Sequence, residues 1–279
     1  MLPPGREVDL PGRGEVFVRD SGPHGEAPPL LLLHGWTATA DLNWHACYPH
    51  LGQHRVLAFD HRGHGRGIRG NEPFTLEAAA DDAAALIHTL GCGPVVAVGY
   101  SMGGPVAQLL WQRHRDLVGG LVLCATSAVF TGRPAERAAF AALPTAIAAT
   151  RLLPERFRLR AAVRFMAGGD AWEFRTWALD QIAGHDWIRI LEAGRAIGRF
   201  DSRPWIGEVD VPTGVVVTLN DRIVAPERQL ALASAIRGAR VNESRGDHSV
   251  VLGQPELFVP PLLDSISGVL ARIRPATAA

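Results

Sequence analysis

Short apolar runs closed by glycine or proline, each followed by a longer stretch of helical periodicity, make up the first 127 residues of the chain and resume near residue 213. The strand-like runs are GEVFVRD (14–20), PLLLLHG (29–35), RVLAFD (55–60), PVVAVGY (94–100) and GLVLCAT (120–126), followed later by TGVVVTL (213–219) and ARVNES (239–244). The central runs are continuously apolar instead of alternating, so both faces of each strand must be covered. That requirement selects an α/β class: a mostly parallel central sheet with helices on both faces. The cover is predicted from NWHACYPHL, TLEAAADDAAALIHTLG, GGPVAQLLWQRHRDLV, PERQLALASAIRG and a last helix near 255–274. In the second of these, Thr75 suits an N-cap and Gly91 a C-terminal cap.

The pattern changes between 128 and 205, where no strand-like run occurs. Alanine, arginine and aromatic residues recur there at helical spacing, with breaks predicted at Pro144, Pro154 and Gly168-Gly169. The expected organisation is a core formed by 1–127 and 206–279, with a helical cap, 128–205, inserted into it. A chain of 279 residues can support one such core.

Composition narrows the function. Twenty-eight basic and 28 acidic side chains balance, so no nucleic-acid partner is expected. Cys47, Cys92 and Cys124 are odd in number, far apart and without metal-site spacing, which fits a reducing compartment and no metal. MLPPGREVDLPGRG carries no apolar core of a signal peptide, and no run approaches the roughly 18 apolar residues of a spanning helix. A cytoplasmic protein without a transmembrane segment is expected.

Gly99-Tyr100-Ser101-Met102-Gly103 matches G-x-S-x-G where the alternation places a turn from strand to helix. A serine oxygen is a weak nucleophile unless it is held out toward a base, and a turn that tight needs neighbours without side chains. Composition alone predicts about 0.1 chance matches, so strand and helix context give the motif its weight. The base is expected in a loop after the last strand, where RGDHSVVL offers His248. His61 and His64, in DHRGHGRG, read as parts of a structured turn. The carboxylate that fixes the imidazole tautomer is assigned to Asp221, at the end of the strand GVVVTL. Asp247 adjoins the histidine and suits its loop better, and Asp60 suits a brace for the turn that follows it.

The order Ser101, Asp221, His248, together with HGW after a strand, the DHRGHG turn, GYSMGG and the helical insertion before the acid strand, resembles the α/β-hydrolase superfamily. Within it the chain is similar, from about 14 to 274, to capped serine hydrolases of the esterase, lipase and cofactor-free haloperoxidase type. The resemblance implies an oxyanion hole built from the backbone N–H of Met102, after the nucleophile, and of Trp36, in the loop after HG. Trp36 departs from the lipase-like HGGG. Its indole either narrows the acyl pocket or packs beneath the cap, while His34 is expected to brace the loop. An aspartate nucleophile, as in haloalkane dehalogenases and epoxide hydrolases, is excluded by Ser101.

Trp36, Tyr100, Phe165, Met166, Trp172, Phe174, Trp177 and Trp187 are candidates for an apolar substrate pocket, although most cap aromatics at this spacing serve to bury the cap on the core. Seven arginines against two glutamates from 133 to 164 mark either a solvated helix face or a surface that steers an anionic substrate. The expected function is hydrolysis of carboxylic esters of small or medium apolar acyl substrates, through an acyl-enzyme and without metal or cofactor. Another acyl bond (thioester, lactone, amide or C–C) or perhydrolysis would use the same triad, and a non-catalytic ligand-binding protein is the alternative from another class.

Overall fold

The computed structural model describes residues 1–154 and 175–273. Its centre is an eight-stranded sheet in the order β1-β2-β4-β3-β5-β6-β7-β8. The strands are β1 (Gly5–Leu10), β2 (Gly14–Asp20), β3 (Leu30–Leu33), β4 (Val56–Phe59), β5 (Val95–Tyr100), β6 (Val118–Cys124), β7 (Thr213–Thr218) and β8 (Arg240–Ser244). β2 runs antiparallel to β1 and β4, and every other pairing is parallel. The sheet is therefore the mostly parallel one that the apolar runs require.

Both-sided burial is visible residue by residue. Leu31, Leu33, Ala97, Leu121, Leu123, Val215 and Val217 point into one apolar cluster, while Leu30, Leu32, Val96, Val98, Val122 and Val216 point into a second. The helices α2 (Leu76–Leu90) and α3 (Gly103–Arg113) cover the first face, and α1 (Ala40–Trp44), α8 (Val250–Gly253) and α9 (Pro255–Leu270) cover the other. All four leucines of β3 are fully buried. Each contributes about 1.5–3 kcal/mol by leaving water. Thr75 caps α2 by accepting from the Ala78 N–H, and Gly91 ends it at φ 57, a left-handed conformation that costs glycine little.

The structure adds one element to the sequence reading and corrects one break. The N-terminal stretch before residue 14 carries β1, an edge strand whose pattern of charged and apolar residues, GREVDL, has only Val8 and Leu10 buried. Pro144 does not end its helix: α4 runs unbroken from Pro134 to Arg151. Pro144 sits on the exposed side of α4, and its missing N–H costs the helix one internal hydrogen bond without ending it.

Between β6 and β7 the described residues hold α4, α5 (Arg175–Ala183) and α6 (Trp187–Arg199) and no strand longer than an isolated bridge. That bridge joins Val129 to Asp201, and the Ser202 N–H donates to the Ala128 carbonyl at 2.9 Å. The two ends of the helical segment thus lie side by side. After it comes α7 (Pro226–Ala235), on the first face. Among the described residues no helix is long and apolar enough to cross a membrane, and no cluster of three or more His, Cys, Asp or Glu is arranged to hold a metal.

Four histidines, His34, His61, His64 and His185, pack ring against ring where the helical segment meets the sheet. Burial pushes His34 and His185 down to about 4, and it drives His61 and His64 well below the ordinary imidazole range. Their neutral forms are therefore those the fold accepts, whereas the unfolded chain takes up protons near pH 6.5. A lowered folded value means that stability is present at neutral pH and is lost as pH falls from about 6.5 toward 4, with each tenfold change in proton affinity worth about 1.4 kcal/mol. We expect the melting temperature to drop steeply across that interval in calorimetry; a flat profile there would show that the buried histidines do not titrate on unfolding.

Candidate active site

The turn from β5 into α3 holds Ser101 at φ 51, a left-handed conformation uncommon for a side-chain-bearing residue. The space around it explains the flanking glycines. A Cβ on Gly99 would collide with the Gly103 carbonyl, and one on Gly103 would collide with the Leu33 carbonyl at the end of β3. The Ser101 N–H donates to the Cys124 carbonyl at 2.9 Å and the Ser101 carbonyl accepts from Thr126 Oγ1 at 2.8 Å, so the turn is tied to β6 as well.

His248 lies in the loop between β8 and α8. Its Nε2 is 2.9 Å from Ser101 Oγ and its Nδ1 is 2.7 Å from Asp221 Oδ2. A carboxylate can only accept, so Nδ1 carries the proton and the Nε2 lone pair faces the serine hydroxyl. Asp221 is buried just beyond β7. Its Oδ1 accepts from the Ile223 and Val224 N–H groups, both at 2.8 Å, and its Oδ2 also accepts from Thr218 Oγ1 at 2.8 Å. Gln229 on α7 donates to the same threonine hydroxyl at 2.8 Å, which turns that hydroxyl's proton toward Asp221. Thr218 and Gln229 carried no motif in the sequence; only the packing of α7 against β7 makes them partners of the acid.

The rival residues have other work. Asp60 is buried and braces its turn, accepting from the Ala40 N–H at 2.7 Å and the Arg66 N–H at 2.8 Å. Asp247 accepts from Ser249 N and Oγ, both at 2.8 Å, within its own loop. His61 and His64 are fully buried. His34 accepts from the His61 N–H at 2.9 Å through Nε2, so its Nδ1 carries the proton and donates to the Gly35 carbonyl at 2.8 Å.

Gly35 is held from below as well, its N–H donating to Asn43 Oδ1 at 3.0 Å. Trp36 follows, half-buried, with Nε1 donating 2.7 Å to the Ile190 carbonyl on α6 and its ring against Gly194, where a Cβ would collide with it. The indole therefore docks the helical segment and also lines the cleft. Among the described residues, neither the Trp36 nor the Met102 backbone N–H has an acceptor. Met102 precedes the first residue of α3, so its N–H is one of the donors a helix leaves unused at its positive end.

Ser101 and His248 open into a cleft of about 670 Å³ that Trp36, Tyr100, Leu42, Ile182 and Leu252 help to line. The Tyr100 hydroxyl donates to the His248 carbonyl at 2.8 Å. Trp177 and Trp187 do not line the cleft. Trp177 packs beside Ala38, Leu42, Ala178 and Ile182 with its ring 5.4 Å from His45, and Trp187 sets its ring 5.4 Å from His185. The wall from α5 is aliphatic instead, formed by Ala178, Leu179 and Ile182. Phe165, Met166, Trp172 and Phe174 lie outside the described residues. Of the arginines from 133 to 164, Arg133 precedes α4, Arg137 donates to the Gly132 carbonyl and Arg151 pairs with Glu192, and none of the three lines the cleft; those from 156 onward lie outside the described residues.

The family model for the alpha/beta hydrolase fold matches residues 28–255. A pimeloyl-[acyl-carrier protein] methyl ester esterase of Neisseria meningitidis is 32% identical over 254 residues, covering 86% of this chain and 77% of that protein. Lipase LipV of Mycobacterium tuberculosis is 39% identical over 109 residues, 39% of this chain and 41% of the lipase, so that likeness spans less than half of either. Among solved structures, the enol-lactonase of Burkholderia xenovorans superposes with a TM-score of 0.77 at 25% identity, covering 94% of this chain and 100% of the lactonase. A hydrolase of Pseudomonas aeruginosa gives 0.79 at 24% identity, covering 94% and 98%, which bears on the fold. With the parallel sheet, the serine turn and a family match over most of its length, the chain belongs to the α/β-hydrolase family and is a hydrolase of that fold.

Proposed function

We propose that the protein is a serine esterase that cleaves carboxylic esters of small or medium apolar acids through an acyl-enzyme. One observation carries the reading: an unbroken chain of hydrogen bonds from Ser101 Oγ to His248 to Asp221, 2.9 and 2.7 Å long, at the floor of a largely apolar cleft. His248 takes the Ser101 proton as Oγ attacks the acyl carbon. The oxyanion that forms rests on the Trp36 and Met102 N–H groups, and a donor aimed at developing charge is worth about 3 kcal/mol. His248 then protonates the departing alcohol, and afterwards activates the water that releases the acid and restores the serine. Asp221 holds the Nδ1–H tautomer throughout and stabilises the transient imidazolium.

The relatives support an ester as the bond attacked, since the Neisseria protein is named for a methyl ester and the Burkholderia protein for an enol-lactone. Leu42, Ala178, Leu179 and Ile182 offer an acyl chain an aliphatic wall. The position of the helices above the cleft fits the inserted cap expected over 128–205.

Ser101→Ala is expected to keep the melting temperature within a few degrees while losing hydrolysis of 4-nitrophenyl butyrate and covalent labelling by a fluorophosphonate. Equal turnover by the variant would sink the assignment of Ser101, and failure of the wild type to label would favour a non-catalytic receptor. Asp221→Asn should lower kcat roughly 10⁴-fold by fixing the wrong tautomer. Thr218→Val, which removes one hydrogen bond to the carboxylate, should cost about tenfold. Across esters, lactones, thioesters and a peroxide acceptor, kcat/KM is expected to be highest for a linear ester; a higher value for another bond would reassign the substrate class.

A further inference from the structure

His185 makes no contact with the reacting groups, yet it touches the loop that carries one of the proposed oxyanion donors. It lies between α5 and α6, buried, in a stretch that docks on the turn after β4. The Asp186 N–H donates to the Gly63 carbonyl at 2.8 Å, and Arg69 bridges the Gly65 and Gly184 carbonyls. Between these ties both ring nitrogens of His185 are engaged. Nδ1 accepts from the Gly65 N–H at 2.8 Å, so Nε2 carries the proton and donates to the Thr37 carbonyl at 3.1 Å.

Thr37 is the residue in this loop most in need of support. Residues 35–38 form a turn closed by the Ala38 N–H on the Gly35 carbonyl at 3.3 Å, and within it Thr37 sits at φ 64. A β-branched residue is a genuine outlier there and persists only when its surroundings impose the conformation. The core side supplies His34 and Asn43, both on Gly35. The helical segment supplies the other two ties, His185 on the Thr37 carbonyl and the Ile190 carbonyl on the Trp36 indole. Release of the Thr37 carbonyl lets the residue relax to negative φ, which rotates the Trp36–Thr37 peptide and disturbs the Trp36 backbone.

We propose that His185 is a positioning residue for acyl transfer: as a neutral imidazole it clamps Thr37 and keeps the Trp36 N–H aimed at the oxyanion. The helical segment is then part of the catalytic apparatus as well as a wall of the cleft. This inference rests on the esterase reading above. An oxyanion donor counts in the transition state and little in the ground state, so a loss at this site lowers kcat and leaves KM nearly unchanged.

Glutamine places its amide where Nε2 lies and asparagine where Nδ1 lies, so the pair separates the bond to Thr37 from the bond to Gly65. With 4-nitrophenyl butyrate, and with active sites counted by fluorophosphonate, H185Q is expected to keep kcat near wild type. H185N, and H185F, which fills the space without hydrogen bonds, should lose about tenfold or more in kcat with KM within about twofold. Affinity for a trifluoromethyl ketone, which forms an oxyanion on Ser101, should fall in step with kcat. Equal kcat and equal ketone affinity in H185Q and H185N, with only the melting temperature lowered, would reduce His185 to a docking contact and overturn the proposal. The amide resonances of Trp36 and Thr37 in NMR spectra read the clamp independently of turnover: they should move in H185N and stay in H185Q. If they stay in both, the inference fails even in an active enzyme. If they move in an enzyme that cleaves no ester, the esterase reading fails while the clamp stands.

Discussion

Everything at the site depends on how closely the turn after β5 approaches the end of β3. Gly103 lies so near the Leu33 carbonyl that no side chain fits between them, and Gly99 is pressed against Gly103 in the same way. That contact sets Ser101 beside Gly35, the residue before Trp36. β3 and β5 are neighbours in the parallel sheet, with Leu33 opposite Gly99, so their loops leave from the same edge at the same height. The fully apolar strands thus do more than fill a core: buried on both faces, they fix the register from which the two halves of the site project.

Much of this is legible in the sequence because the physical demands are local. Short continuous apolar runs bounded by glycine or proline fit strands buried on both faces, and a serine held at positive φ between colliding backbones leaves glycine as the neighbour that fits. Asp221 and His248 were identifiable by their place after particular strands. What escaped detection has no local signature. β1 is an edge strand with two buried residues among charged ones, too few to mark it as apolar. Thr218 and Gln229 become partners of Asp221 only when α7 packs on β7. Pro144 reads as a break, yet α4 continues through it with the proline on its exposed side.

The aromatic residues of the helical segment teach the same lesson in reverse. Trp177 and Trp187 have the spacing and chemistry of a pocket lining, but periodicity identifies inward faces and not what lies opposite them. In the folded chain they meet other side chains, and the aliphatic Ala178, Leu179 and Ile182 face the cleft. Trp36 combines the two roles left open from sequence, since it is among the residues lining the cleft and its indole is docked on α6. His34, His61, His64 and His185 look like candidates for proton transfer, but burial holds all four neutral, and they pack ring against ring between the sheet and the helices above it. His248, by contrast, is half-exposed, with one nitrogen on a carboxylate and the other on a serine.

The central claim, covalent acyl transfer through Ser101, is tested most directly by stopping the wild-type reaction with a 4-nitrophenyl ester in acid within milliseconds and measuring the protein by mass spectrometry. The account predicts a transient gain equal to the acyl group, located by fragmentation on the peptide that contains Ser101 and gone once substrate is exhausted. Turnover without any acylated protein, or an acyl group on another residue, would contradict it.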